Sequence, residues 1–123
     1  FIEPKKLQYS YRTGDTYHFM DLSTYEEAAF RAEQLGSAVH YLIETLEVTG
    51  DFHKGQLIGL ELPTTVELKV TQADPGLRGD TSKGGTKPAT METGLVVQVP
   101  LFVGPGETIK VDTRTGDYVG RAS

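Results

Sequence analysis

The residue pattern predicts a mainly β chain: two small five-stranded β-barrels in tandem, the first carrying one short helix. Three observations carry this prediction. Short apolar-alternating segments recur through all 123 residues and are divided by glycine- and proline-bearing turns. Helical periodicity occurs only once, in the first half. Alternation stops and restarts across Leu62-Pro63-Thr64, where Pro63 removes a backbone donor. The expected domains are therefore residues 1–63 and 64–123.

In the first half, Leu7–Tyr11 and Tyr17–Met20 alternate as strands. Arg12-Thr13-Gly14-Asp15-Thr16 joins them, with a glycine where positive φ is needed. Tyr25–Phe30 is a weaker strand segment. From Ala32 to Glu44, Leu35, Val39, Leu42 and Ile43 fall at i, i+4, i+7 and i+8, which predicts an amphipathic helix. Leu46-Glu47-Val48 and Leu57–Leu60 then bracket a turn at His53-Lys54-Gly55. Alternation assigns Tyr9, Tyr11, Tyr17 and Phe19 mainly to the core, with a stacking platform as the other use of four such rings.

The second half is almost entirely β: Val66–Val70, Thr90–Glu92, Leu95–Val99, Thr108–Val111 and Tyr118–Val119. Arg114-Thr115-Gly116-Asp117 repeats Arg12-Thr13-Gly14-Asp15 letter for letter. Shared turn chemistry explains this better than duplication, because glycine and aspartate favour turns in any context.

Composition narrows the function classes. Cysteine is absent, which excludes disulfides, thiol catalysis and thiolate metal sites. Apolar runs such as Leu95-Val96-Val97 are far too short for a membrane helix, and no secretory leader opens the chain. A cytoplasmic setting without a membrane partner is expected. Because residue 1 is Phe, the chain is expected to be a fragment or a processed product. The net charge of −5 is uneven. Residues 1–63 hold five Lys/Arg against ten Asp/Glu, and residues 64–123 hold seven of each. The neutral half leaves room for a specific nucleic-acid contact that the acidic half disfavours.

Catalytic and metal-binding constellations are hard to find. His18, His40 and His53 fall on a strand, the helix and a turn, without metal-ligand spacing. His40 and Glu44 make an i,i+4 pair on the helix, read as a surface contact. Glu26 and Glu27 are adjacent on a strand and point to opposite faces, a poor geometry for acid–base work. No enzyme activity, metal or cofactor is expected. Gly79 and Gly84-Gly85-Thr86 approach a phosphate-binding loop, but Gly85 stands where that motif needs lysine. The Arg78-Gly79-Asp80 tripeptide is a match of chance length. The long polar loop is nevertheless basic: Arg78, Lys83 and Lys87 outweigh Asp80. With its hydroxyls and open amides it can contact phosphates, sugars and base edges. Tyr118 and Arg121 add an aromatic and a cation able to stack or pair with RNA.

Lys87, Ala89, Gly94, Val97, Val99 and Pro100 stand in the order and spacing of a signature. They resemble that of bacterial elongation factor P. Flanking runs agree: Gly79-Asp80-Thr81 and Gly84–Ala89 before it, Val111–Gly116 and Tyr118-Val119 after it. Upstream, Leu7-Gln8-Tyr9, Phe19-Met20-Asp21, Thr24-Tyr25-Glu26 and Leu62-Pro63 with Val66-Glu67-Leu68 are similar too. One departure is Thr45, where many members have glycine. Threonine disfavours a left-handed turn after the helix.

The resemblance implies OB-type barrels corresponding to the family's second and third domains, without the N-terminal domain that carries its modified side chain. It also implies a monomer that binds the ribosome, toward the small subunit and exit-site region, beside the peptidyl-tRNA. There the factor positions peptidyl-tRNA so that slow bonds, notably between consecutive prolines, can form. By the same resemblance Gly79, Asp80 and Thr81 match loop residues that reach the exit-site mRNA codon, and Tyr118 and Arg121 match positions facing tRNA and the ribosomal surface. Arg78, Lys83 and Lys87 join this set on electrostatic grounds. An elongation-factor-P-like paralogue and a stand-alone OB-fold module for single-stranded RNA are the alternatives.

Overall fold

The computed structural model describes residues 1–73 and 85–122. They form two compact units, Phe1–Pro63 and Thr64–Ser123. Each is a five-stranded antiparallel sheet curled around its own core, as expected for OB-type barrels.

The first unit comprises β1 (Glu3–Thr13), β2 (Thr16–Asp21), β3 (Glu27–Arg31), α1 (Ala32–Leu35), a 3-10 segment (Gly36–Tyr41), β4 (Glu47–His53) and β5 (Gln56–Glu61). Its strand order is β3-β2-β1-β4-β5. Strand β1 is long enough to serve two partners. Its first half pairs with β4, from Glu3↔Phe52 to Gln8↔Glu47, and its second half pairs with β2 through Thr13↔Thr16. The inner faces supply an aromatic core. Phe19 lies 5.5 Å from Tyr9 and 5.7 Å from Phe30, and Phe30 lies 6.0 Å from Phe52, between ring centres. Tilted and edge-on packing of this kind adds about 0.5–1.5 kcal/mol per pair beyond area burial. The desolvated Tyr9 hydroxyl is held above its ordinary pKa by burial and then by its neighbour Tyr17.

The helix is shorter than its periodicity predicts. Gly36, at φ 61° and ψ −138°, ends α1 after four residues, and a 3-10 turn continues to Tyr41. The buried residues become Leu35, Ala38 and Tyr41, followed by Leu42, while Val39 and Ile43 are only half-buried. A three-residue repeat suits the tighter 3-10 winding, whereas spacing at 3.6 residues does not. The helical i,i+4 relation of His40 and Glu44 disappears with it.

The second unit has β6 (Thr65–Ala73), β7 (Thr86–Met91), β8 (Val96–Pro100), β9 (Thr108–Asp112) and β10 (Tyr118–Arg121), in the order β10-β9-β6-β7-β8. Counted from each unit's first strand, the order is the same as in the first unit, read in the opposite direction. Here the core is aliphatic: Val66, Leu68, Val70, Ala89, Met91, Val97, Val99, Val103, Ile109 and Val111. The signature residues prove to be framework. Ala89 pairs with Val97 and Lys87 with Val99 across β7 and β8. Gly94 takes φ 92° and its amide donates to the Met91 carbonyl at 2.9 Å, closing the turn between them. Pro100 ends an edge strand, where a missing donor costs no ladder bond.

The repeated tetrapeptide makes two different turns. Gly14-Asp15 is the two-residue tip of the β1–β2 hairpin, whereas Arg114–Asp117 lies inside the longer β9–β10 turn. The two copies also join strands at different places in their units, which agrees with shared turn chemistry and not with duplication.

Candidate nucleic-acid interface

Strand β10 brings Tyr118 and Arg121 to one side of its sheet. Three residues apart, they would face opposite ways in a regular strand. A bulge between Tyr118 and Gly120 corrects this, so that Tyr118 faces Val111 and Arg121 faces Ile109 on β9. Val111 and Ile109 point inward and are fully buried. Tyr118 is half-buried beside them, and the Arg121 side chain leaves 55% of its surface exposed. The Ala122 amide donates to the Thr108 carbonyl at 3.0 Å, fixing the chain just beyond Arg121.

Two further side chains determine where the guanidinium goes. Arg121 Nε lies 3.1 Å from Glu107 Oε1, and the Gly104 amide donates to Glu107 Oε2 at 2.8 Å. The carboxylate thus grips a backbone turn with one oxygen and the cation with the other. Arg121 Cζ also stands 4.4 Å from the centre of the Phe102 ring. Phe102 occupies the turn after β8, with Val103 wholly buried next to it, and is itself 60% exposed. An exposed cation–π contact contributes about 0.5–1 kcal/mol and an exposed ion pair about 0.2–1 kcal/mol. Either is modest alone; together they favour one placement of a long side chain.

The sequence-predicted set divides three ways. Arg78, Gly79, Asp80, Thr81 and Lys83 lie outside the described residues. Tyr118 and Arg121 share one side of β10. Lys87 is a residue of β7 with 8% exposure, so it is packed into the barrel and does not stand out as an open loop cation. Sequence reading overlooked Phe102 and Glu107. Leu101-Phe102-Val103 offered a faint signal, a large ring in a turn with no strand pattern to bury it.

In the first unit the expected aromatic core loses one member. Tyr9, Tyr17 and Phe19 are buried, but a bulge between Tyr9 and Tyr11 turns Tyr11 outward at 48% exposure. There its ring stacks on His18, with centroids 4.2 Å apart and planes 7° from parallel. Both imidazole nitrogens are engaged, with Thr13 Oγ1 and Glu27 Oε2, each at 2.9 Å. His53 Nδ1 meets the Phe1 carbonyl at 2.9 Å. Among the described residues no group of three or more His, Asp or Glu side chains is placed to hold a metal. A hollow of about 250 Å³ is lined by Lys6, Glu47, Val48, Thr49, Glu61, Leu62 and Pro63. Glu61 there is held above its ordinary pKa by a hydrogen bond with the Asp51 carboxyl and by that group's charge. No described helix is long and apolar enough to cross a membrane.

Comparison with known proteins matches both units. A model described as Elongation factor P (EF-P) OB domain covers residues 2–60, and one described as Elongation factor P, C-terminal covers residues 66–121. The chain is 56% identical over 118 residues to an elongation factor P from Thermotoga petrophila, covering 96% of this chain and 64% of that protein. It is 56% identical over 120 residues to one from Synechococcus sp. (strain JA-3-3Ab), covering 98% and 65%. Identity to one from Acidothermus cellulolyticus is 48% over 122 residues, covering 99% and 65%. The chain thus spans slightly under two thirds of the length of these relatives.

Proposed function

Because the chain belongs to the elongation factor P family, we propose that it acts in translation by binding the ribosome beside the peptidyl-tRNA. It takes part in steadying that tRNA, so that slow peptide bonds such as those between consecutive prolines can form. The chemistry stays with the ribosome, and the protein's contribution is orientation, which lowers an entropic barrier. The observation that carries this reading is identity of 48–56% to elongation factor P along 96–99% of the chain. The Arg121 guanidinium, set against Glu107 and Phe102 on a barrel of neutral net charge, agrees with it.

The proposed contact set is Gly79, Asp80 and Thr81 with Tyr118 and Arg121, aided by Arg78 and Lys83. Arg121→Ala and Asp80→Ala should each weaken binding to bacterial ribosomes carrying peptidyl-tRNA, with unfolding midpoints near the parent's. Parental affinity in both variants would refute this contact set. Salt-sensitive binding to free single-stranded RNA as tight as that to ribosomes would favour a stand-alone RNA-binding module instead.

A further inference from the structure

We propose that Phe102 and Arg121 form a stacking site for an unpaired RNA base, with Glu107 setting the orientation of the guanidinium. The proposal rests on the ribosome-binding reading and adds the mode of contact and a residue, Phe102, that contacts RNA directly.

The charge arrangement separates stacking from phosphate binding. A phosphate clamp works best with an uncompensated cation, because much of its affinity comes from releasing counterions. Arg121 is already paired with Glu107 through Nε, at 3.1 Å. The pair is close to neutral, and Glu107 would repel a phosphate brought near it. What remains is a planar group lying against an aromatic ring, 4.4 Å from its centre, with over half of each side chain exposed. Single-stranded RNA is recognised by surfaces of this kind, through bases stacked on aromatic rings and on guanidinium planes.

The backbone beneath the pair is tied to the barrel. Val103 is fully buried, and its amide donates to the Pro100 carbonyl at 3.1 Å. Glu107 is fixed by Gly104 on its other oxygen, at 2.8 Å, and its own carbonyl accepts from the Val70 amide at 2.8 Å. Arg121 sits in β10, opposite Ile109. All three side chains are thus mounted on backbone tied to the barrel, and little order has to be created when a base arrives.

The test is equilibrium binding of the fluorescently labelled 123-residue chain to ribosomes carrying peptidyl-tRNA, over a range of salt concentrations. Phe102→Leu and Arg121→Lys should each lose on the order of tenfold in affinity, within the range of one base–aromatic stack. Phe102→Tyr should keep it. The slope of log affinity against log salt should stay parental in Phe102→Leu and Arg121→Lys. Glu107→Gln should steepen that slope by about one, having released a cation. Parental affinity in Arg121→Lys, with a loss in Arg121→Ala, would show a point-charge contact and overturn the stacking site while leaving the ribosome-binding surface intact. Parental affinity in Arg121→Ala would overturn the stacking site, and the ribosome-binding surface would fall with it only if Asp80→Ala were parental as well. A photoreactive benzoylphenylalanine in place of Phe102 should crosslink to RNA, and crosslinks confined to ribosomal protein would overturn the proposal. Thermal unfolding of each variant separates these effects from loss of fold.

Discussion

Tyr25 and Gly116 occupy the same position of the same turn, with φ of 63° and 79°. In both turns an aspartate four residues earlier, Asp21 or Asp112, accepts the amide of this residue on its carbonyl, at 2.7 and 2.8 Å. Each aspartate also accepts, on its carboxylate, the amide two residues on, at 2.8 and 2.7 Å. Each closes the turn with its own amide, on Glu26 or Asp117, at 2.8 and 2.9 Å. The second unit meets the left-handed requirement with glycine, and the first meets it with an exposed tyrosine.

A left-handed tyrosine is strained, at a cost on the order of 1 kcal/mol or more. Tyr25→Gly should relieve this, partly offset by the greater freedom of glycine in the unfolded chain. The expected gain is about 0.5–1 kcal/mol, or a few degrees in the unfolding midpoint of the first unit. A lower midpoint would mean that the Tyr25 ring makes a stabilising contact larger than the strain.

Thr45 presents the same problem with a β-branched side chain. It adopts φ 70°, and the turn disfavoured by its side chain is kept. Non-local bonds hold it there. The Thr45 amide donates to the Tyr9 carbonyl at 2.9 Å, and the Tyr9 amide donates to the Leu46 carbonyl at 2.8 Å. Thr45→Gly should preserve these bonds and raise stability by about 1 kcal/mol. Chemical denaturation with an unchanged m-value and a higher midpoint would bear this out.

Gly50 gives the opposite sign. A Cβ there would lie 2.9 Å from Leu7 Cδ1 and from Phe52 Cε1, and 3.2 Å from Leu57 Cδ1. Leu7 and Phe52 are buried core residues, so they have little room to yield. Gly50→Ala should cost about 1–3 kcal/mol by overpacking. Pairing it with Leu7→Ala should show coupling, since the smaller side chain vacates the contested space. Strict additivity would argue against this clash.

Two carboxylates make stability depend on pH in opposite directions. Glu61 is raised above its ordinary 4.5 by the hydrogen bond and charge of Asp51. Its protonated form is favoured in the folded chain. That stability is fully present below 4.5 and is lost as pH rises through the raised value. Glu61→Gln should therefore be more stable than the parent at neutral pH, with the gap closing in acid. Asp112 is lowered from 3.8, first by the Arg114 side chain and then by the Arg114 amide. Its contribution is present above 3.8 and is lost as pH falls through the lowered value. Arg114→Ala should weaken the fold slightly at neutral pH and converge with the parent in strong acid. Denaturant midpoints across pH 2–8 would show both trends.

Much of this fold is local information. Alternation located strands in both units, and Gly14 marked a turn that needs positive φ. The signature from Lys87 to Pro100 identified the family because its residues build a strand pair whose packing is demanding. The helix was misjudged because apolar spacing over Leu35–Ile43 does not include the effect of Gly36, whose left-handed φ ends the α-helix and forces tighter winding.

The sequence by itself determined the strands, the two barrels and the family, because each follows from patterns spanning a few residues. Only the tertiary structure decided which way key side chains face and which of them meet. One inserted residue in β1 turns Tyr11 out of the core, and another in β10 brings Tyr118 and Arg121 to the same side. Where a bulge falls depends on how the partner strand pairs, and period-two alternation carries no trace of it. Phe102, Glu107 and Arg121 meet because the barrel brings the turn after β8 beside the end of β10, joining residues up to 19 positions apart. Such a contact exists only once the whole unit has folded.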